Sequence, residues 1–284
     1  MSDNAERPGL FRYGVLCSPE QLPMNYPATL KGDIYSVAER ASAAGAEVIE
    51  LHICDPLRYD AGKLVDAAKN NGLSFSAIST GLEFINNKLS LIDDDRETRK
   101  NAIVRLKEHI DLAEKIACPA VVIGVMRGNI PDFKNYDDYE QRLTEAVLEL
   151  SDYAAGKPVG LLVEGINRYV TNYLCGVPDV FRYVKKLERP NIKVHIDTHQ
   201  MNIEDIDFCE AIKECGEYLG YVHFSDNNRA LPGGGNIDFL PIMKTLNEIS
   251  YAGYIVIEGT ECPPGSDDLR NCFKMLRGLE SEIL

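Results

Sequence analysis

The sequence lacks the features that would place it in a membrane, a secretory pathway or a nucleic-acid complex. No apolar run is long enough to cross a bilayer. The opening segment 1–7 is polar and has no signal-peptide core, which favours the cytoplasm. Basic residues are few, since 30 Lys and Arg face 44 Asp and Glu, for a net charge of −14. So acidic a surface repels nucleic-acid phosphates, and we expect neither a nucleic-acid nor a membrane partner.

Paired cysteine motifs and phosphate-loop motifs are also missing. The eight cysteines contain no C-x-x-C pair, and we expect them to be reduced, mostly buried and without a chemical role. The glycine-rich segment 231–236 lacks the G-x-x-x-x-G-K-[ST] pattern of a phosphate loop. The chemistry must therefore lie in other residues.

What the sequence does contain is a regular alternation of strand and helix patterns. Apolar, β-rich runs predict strands at 11–18, 46–53, 74–80, 120–126, 160–167, 192–198, 219–226 and 254–260. Helical patterns lie at 33–44, 60–72, 94–117, 136–155, 178–187, 205–216, 237–249 and 266–282. Eight such pairs without a linker predict an α/β fold in which residues 1–284 form one (β/α)8 barrel domain. Longer connections at 18–32, 80–93, 127–135 and 226–236 follow strands, on the side where barrels build active sites.

Four predicted strands end in residues that can bind a metal ion: Glu164, Asp197, His223 and Glu258. They recur at intervals of about thirty residues, the length of one strand–helix unit. Because parallel strands in a barrel bring their carboxyl ends to one face, the four side chains are expected to converge. Three carboxylates and one imidazole predict a divalent-metal site.

Each carboxylate taken alone is equally explained by a buried salt bridge, for instance between Glu164 and Arg168. Three such coincidences at strand ends weaken that explanation. His195 lies deeper on its strand and is interpreted as a core histidine, whereas His199, beyond the strand end, can face the pocket. His52 fits the barrel mouth and a hydrogen-bonded barrel position equally well.

Two arginines are candidates for substrate binding in this acidic chain. Arg127 directly follows a predicted strand, where it can hold an anionic group, although a loop-fixing salt bridge is the alternative. Arg229, six residues after His223, has a similar position.

The assembled motifs resemble the xylose isomerase-like sugar isomerase/epimerase superfamily, and most nearly its D-tagatose and D-psicose 3-epimerase branch. The resemblance covers nearly the whole chain and is most specific in Glu164–Tyr169, Asp197–Glu204, His223–Arg229 and Glu258. It implies that Glu164, Asp197, His223 and Glu258 bind one divalent ion, with Mn²⁺ preferred over Co²⁺ or Mg²⁺, and no organic cofactor. It also implies that Glu164 and Glu258 move the proton on the substrate carbon, through a metal-stabilised enediolate.

The chain departs from the family pattern where a ketose is usually held. Gln200 replaces a histidine and Val170 replaces a glutamate, while Arg229 keeps its position. We expect a small carbohydrate or sugar acid as substrate, contacted by Arg229, Arg127, Gln200, His199 and His52. The site predicts an isomerase or epimerase. Its alternative is a lyase on the same scaffold, for decarboxylation or for cleavage of an oxidised glycoside.

Two further classes fit the sequence less well. A DNA-repair endonuclease needs more histidine ligands than segment 236–238 and Gln200 provide. A non-catalytic sugar-binding protein would need no metal and would exchange no proton. The sequence leaves the exact substrate, the ion and assembly into a homo-oligomer open.

Overall fold

The structure is a computed structural model that describes residues 9–20, 22 and 27–284. The predicted polar segment 1–7 lies outside these residues, as do positions 21 and 23–26 of the predicted loop 18–32. Within the described residues, parallel strands follow one another in the order β2-β1-β3-β4-β5-β6-β7-β8-β9, and pairing of β1 with β9 closes the barrel. The strands are β1 Arg12–Ser18, β2 Leu30–Lys31, β3 Val48–His52, β4 Ser74–Ser79, β5 Ala120–Ile123, β6 Gly160–Glu164, β7 Ile192–Asp197, β8 Leu219–Phe224 and β9 Tyr254–Ile257.

Helices connect the strands around the outside of this barrel. They are α1 Ile34–Ala44, α2 Ala61–Asn70, α3 Gly81–Asn87, α4 Arg96–Lys115, α5 Tyr136–Ala154, α6 Val177–Leu187, α7 Thr198–Glu204, α8 Phe208–Cys215, α9 Phe239–Glu248 and α10 Asp268–Glu280. Among the described helices, none is both long and apolar enough to span a membrane. Every predicted strand and helix overlaps an observed one, and the predicted (β/α)8 fold is confirmed.

Among the strands and α-helices of the described residues, three short ones were not predicted: β2, α3 and α7. Strand β2 is a two-residue parallel pairing with Cys17 and Ser18, too short to give a pattern. Helices α3 and α7 each have seven residues and begin directly after barrel strands. Both lie in connections on the carboxyl-terminal side, so they form part of the mouth of the barrel.

Side-chain capping explains where the long helices begin. The acidic run 93–95 predicts the start of a helix, and the Asp95 carboxylate accepts hydrogen bonds from the backbone N–H groups of Glu97 and Thr98 at the start of α4. Asp33 and Asp60 cap α1 and α2 in the same way. A carboxylate satisfies free N–H groups there and favours the positive end of the helix dipole.

The register of the barrel strands determines which strand ends are neighbours. Asp197 of β7 is paired with His223 of β8, and Glu164 of β6 is paired with His195 of β7. The Glu258 N–H donates to the carbonyl of Phe224, which continues the β8–β9 pairing past the end of β9. The convergence of the four residues therefore follows from consecutive parallel pairing.

Candidate active site

The ligand atoms of the predicted metal residues lie close together at the mouth of the barrel. Those of Asp197, His223 and Glu258 are all within 4.8 Å of one another. Glu164 forms a second such group with His195 and His223, within the same distance. The structure thus brings all four predicted metal ligands to one place, with His223 common to both groups.

A cavity of about 420 Å³ opens above this cluster. One side of it carries Glu164, His223, Glu258 and Arg229. The side formed by the β3, β4 and β5 ends and α3 carries both polar and apolar residues, among them His52, Ser79, Thr80, Phe84, Ile85, Val122 and Val125. This volume fits a small molecule that carries both polar and apolar groups.

The Glu164 carboxyl group lies close to Gly124, the residue directly after β5. A Cβ atom at Gly124 would lie 2.8 Å from Glu164 Oε2, so a larger residue there would displace the carboxyl group. Burial raises the pKa of Glu164 to about 8, and the negative charge of Glu258 acts in the same direction.

Asp197 joins the strand end to a helix start and to an arginine. Its Oδ1 accepts from the backbone N–H groups of His199 at 2.7 Å and Gln200 at 3.3 Å, which caps α7. Its Oδ2 accepts from Arg229 Nη1 at 2.6 Å. Burial raises the pKa of Asp197 to about 6, against the opposing effect of Arg229. Its orientation is therefore fixed by three donors.

His223 and Glu258 form a charged pair within the cluster. His223 Nδ1 lies 3.6 Å from Glu258 Oε2 and has no hydrogen-bond partner, although the atom is buried. Burial lowers the pKa of His223, but the carboxylates of Glu50 and Glu258 outweigh this effect and hold the pKa well above its ordinary value. Burial likewise raises the pKa of Glu258, but Arg229 and His223 hold it well below its ordinary value.

Arg229 links two of the predicted metal ligands. Its Nη1 donates to Asp197 Oδ2 at 2.6 Å and to Glu258 Oε2 at 2.7 Å. The backbone of Arg229 has a φ of 62°, an uncommon value for a residue other than glycine. Its N–H donates to the carbonyl of Asp226, and Asp226 Oδ1 and Oδ2 accept from Ile237 and Gly233 N–H groups. The loop around Asp226 therefore holds Arg229 against the cluster.

The other predicted substrate residues line the same cavity. His52 is buried, and burial lowers its pKa to about 4, so it is neutral. His199 Nδ1 lies 3.1 Å from the carbonyl oxygen of Asn227 and 3.3 Å from that of Asp226, so Nδ1 carries a proton and donates. Gln200 Oε1 accepts from the backbone N–H of Asn167 at 3.1 Å and also from the side-chain Nδ2 of Asn167. Val170 lies at the edge of the cavity and is 53% exposed.

Arg127 does not line this cavity, and the predicted substrate contact is wrong. Its side chain is fully buried and donates only to backbone carbonyls: Tyr173 at 3.0 Å, Leu174 at 3.0 Å, Gly124 at 3.1 Å and Glu164 at 2.8 Å. Five rigid N–H donors suit such a set of carbonyls, and these bonds fix the loop after β6. The alternative prediction, that Arg127 fixes a loop, agrees better with the structure, although its partners are backbone carbonyls and not a carboxylate. Arg168 pairs with Glu204, not with Glu164.

The residues of the cluster fit a divalent cation. Three carboxylates and one imidazole are a donor set for Mn²⁺, Mg²⁺ or Co²⁺. The buried Nδ1 of His223 makes no hydrogen bond and lies 3.6 Å from Glu258 Oε2, where it can act as a ligand atom. Arg229 already shows that a positive charge is accommodated between Asp197 and Glu258.

Two groups of residues at the site were missed in the sequence. Glu50 of β3 accepts from His223 Nε2 at 2.6 Å, and Tyr221 of β8 donates to the same carboxylate. Both lie inside strands, and an acidic residue within the apolar run 48–52 is the signal for Glu50. Phe84 and Ile85 of α3 were missed because a seven-residue helix gives too little periodicity.

Comparison with known proteins places this geometry in a family. Residues 38–278 match the family model described as xylose isomerase-like TIM barrel. The ketose 3-epimerase of Arthrobacter globiformis is 28% identical over 260 residues, which cover 88% of this chain and 85% of the relative. The 3-dehydro-D-guloside 4-epimerase of Escherichia coli K12 is 25% identical over 170 residues, or 57% of this chain and 65% of that protein.

A solved structure agrees with the fold. The apo form of 3-keto-D-glucoside 4-epimerase from E. coli superposes with a TM-score of 0.79 at 20% identity, covering 94% of this chain and 99% of that one. The relatives are epimerases of sugars, in agreement with the predicted enzyme class. The resemblance predicted from the motifs is therefore confirmed, and this chain belongs to the xylose isomerase-like TIM barrel family.

Proposed function

We propose that this protein is a divalent-metal-dependent isomerase or epimerase of a keto sugar or sugar acid. The observation that carries the proposal is the convergence of Asp197, His223 and Glu258 within 4.8 Å, with Glu164 beside them, below a cavity of about 420 Å³. The activities of the relatives support the same class.

Glu164, Asp197, His223 and Glu258 would hold the ion, which we propose to be Mn²⁺, with Co²⁺ or Mg²⁺ as substitutes. When bound, such an ion makes the proton beside a substrate carbonyl more acidic and stabilises negative charge on the oxygen. No organic cofactor is needed for this chemistry.

The two glutamates are the groups that move the proton. One carboxylate takes the proton from the carbon beside the carbonyl, and the electron pair of the broken C–H bond moves onto the carbonyl oxygen. Glu164 on β6 and Glu258 after β9 are separated by two strands, so they approach the cavity from different directions. Return of a proton from the second glutamate to the other face of the carbon inverts its configuration. Asp197 and Arg229 keep Glu258 oriented during this exchange.

The substrate is proposed to differ from a simple ketohexose at the position that faces Val170. Valine offers no hydrogen bond, and Gln200 Oε1 is occupied by Asn167. A hydroxyl group next to Val170 would therefore find no hydrogen-bond partner there, whereas an apolar substituent needs none. An oxidised glycoside with its aglycone on this side satisfies the requirement, and Phe84 and Ile85 provide further apolar surface.

Proton exchange into solvent tests the proposal directly. The Mn²⁺-loaded protein is incubated in D₂O with a panel of ketohexoses, 3-keto glycosides and keto acids. Deuterium incorporation at each carbon of the sugar is followed by NMR. We expect deuterium at the carbon beside the carbonyl, and an epimeric product of otherwise unchanged mass. The expected rate is higher for 3-keto glycosides than for psicose or tagatose.

The same experiment separates the alternatives. Fragments of lower mass would identify a lyase and overturn the isomerase assignment. Binding of a sugar without exchange would identify a non-catalytic binding protein. A rate constant kcat/KM above roughly 10⁴ M⁻¹s⁻¹ on an unmodified ketohexose would contradict the substrate assignment but not the reaction class.

A further inference from the structure

A buried hydrogen-bond network lies directly behind His223. Glu50 of β3 is fully buried, and its Oε2 accepts from His223 Nε2 at 2.6 Å and from the Tyr221 hydroxyl at 2.9 Å. Its Oε1 accepts from the Ser79 hydroxyl. The Tyr221 and Ser76 hydroxyl groups are also in contact, at 2.7 Å. Both oxygens of the Glu50 carboxylate are therefore held by donors from other strands.

This network determines which nitrogen of His223 faces the cavity. A carboxylate that accepts from Nε2 requires a proton on that atom. The nitrogen left to act as a ligand is then Nδ1, which is buried, lacks a hydrogen-bond partner and points toward Glu258 at 3.6 Å. A reversed ring would direct Nδ1 toward Glu50 and remove it from the ion.

We propose that Glu50 is a positioning residue for the metal site, which holds His223 in the orientation and tautomer that presents Nδ1 to the cation. The proposal rests on the proposed metal site. Glu50 itself is behind the imidazole and is absent from the cavity lining, so it would act on the ion only through His223. A carboxylate in this position also makes the imidazole a more basic ligand.

A merely structural role for Glu50 makes a different prediction. If the network served only to fill the barrel, replacing Glu50 would lower the stability of the metal-free protein and leave the ion affinity of the folded protein unchanged. If Glu50 positions His223, the affinity falls even when the metal-free protein is as stable as before. Burial of a carboxylate costs desolvation even when it is hydrogen-bonded, so loss of its charge alone does not require loss of stability.

The test measures the Mn²⁺ dissociation constant by electron paramagnetic resonance of free Mn²⁺. Glu50→Gln keeps the side-chain volume and removes the charge, and we expect it to weaken Mn²⁺ binding by at least about tenfold. Glu50→Leu removes the acceptor, and we expect a loss of about a hundredfold. Tyr221→Phe is the matched control, because it removes one donor to Glu50 but leaves the bond to His223, and its dissociation constant should stay within about threefold of the wild type.

A second measurement uses the wild-type protein and does not depend on the folding of any variant. In Zn²⁺-loaded, ¹⁵N-histidine-labelled protein, His223 should show a slowly exchanging, strongly downfield proton on Nε2. A proton on Nδ1, or Mn²⁺ binding by folded Glu50→Gln within twofold of the wild type, would overturn the proposal. Failure of the wild-type protein to bind either ion would overturn the metal site as well, which separates the two claims.

Discussion

The two halves of the barrel mouth differ in the kind of side chain that they present. The half formed by β6 to β9 presents three carboxylates, a histidine and an arginine. Contacts of 2.6 to 3.6 Å join Arg229 to Asp197 and Glu258, and Glu258 to His223. The half formed by β3 to β5 and α3 presents Phe84, Ile85, Val122 and Val125, together with His52, Ser79 and Thr80. In the proposed function, the first half carries out the reaction and the second shapes the cavity around the substrate.

This difference indicates which kinetic quantity a substitution in each half should change. Under the proposed function, the charged groups that contact each other should affect the reaction rate, because each orients the next. Apolar groups along a cavity contribute binding area that is similar in the ground state and the transition state, so they determine affinity and selectivity. Predictions for the two halves therefore differ in kind as well as in size.

The largest expected effect is in the charged half. Glu258→Gln keeps the size of the side chain and removes the base, and proton exchange at the substrate carbon should fall by at least about a hundredfold. The measurement is deuterium incorporation by NMR, with the bound Mn²⁺ determined on the same sample as control. Full exchange activity in a variant that keeps its metal would remove Glu258 from the proton transfer.

Arg127 lies between the two halves, because it follows β5 in the chain and donates to the Glu164 carbonyl. Arg127→Met removes the four hydrogen bonds that the Arg127 side chain donates to backbone carbonyls, and we expect a loss of roughly 3 kcal/mol or more in unfolding free energy. Denaturant titration measures this change, and Arg127→Lys should recover part of it. A variant of wild-type stability that has lost only its affinity for anionic substrates would restore the original prediction of a substrate contact.

A smaller effect is expected in the apolar half. Phe84→Ala removes cavity surface, and KM for a 3-keto glycoside should rise by about tenfold while kcat stays nearly constant. Leu57→Ala is a suitable control, because Leu57 is exposed and outside the cavity. A fall in kcat with unchanged KM would mean that the apolar half takes part in the chemistry.

The smallest effect on stability is expected at Val170. The side chain is 53% exposed, so Val170→Glu should change the unfolding free energy by no more than about 0.5 kcal/mol. It adds a hydrogen-bond acceptor at the cavity edge, and kcat/KM for psicose or tagatose should rise several-fold relative to a 3-keto glycoside. An unchanged ratio would show that position 170 does not select the substrate.

The sequence predicted the charged half far better than the apolar half. Glu164, Asp197, His223 and Glu258 end strongly apolar strands, where ionisable residues stand out and strand pairing brings them together. Phe84 and Ile85 lie on a seven-residue helix, and apolar residues in a loop region resemble any other buried side chain. Arg127 was misassigned because position after a strand does not reveal whether a side chain turns toward the cavity or beneath a loop.

The histidines show the same limit of sequence reasoning. Alternation along β7 placed His195 deeper than Asp197, and the structure has it fully buried with its ring 4.2 Å from that of His223. The link between Glu50 and His223 joins residues 173 positions apart, on strands that are not neighbours in the sheet order. No local pattern carries such a contact, which depends on closure of the barrel.

Metal content tests the central claim, that four strand ends in the charged half form one divalent-cation site. Wild-type protein and Asp197→Asn are dialysed with Mn²⁺, and bound ion and unfolding temperature are measured before and after chelation. We predict one Mn²⁺ per wild-type chain, stabilisation of about 2.7 kcal/mol at a hundredfold excess over Kd, and loss of both in Asp197→Asn. Wild-type protein that holds no ion and unfolds at the same temperature with and without Mn²⁺, Co²⁺ or Mg²⁺ would contradict it.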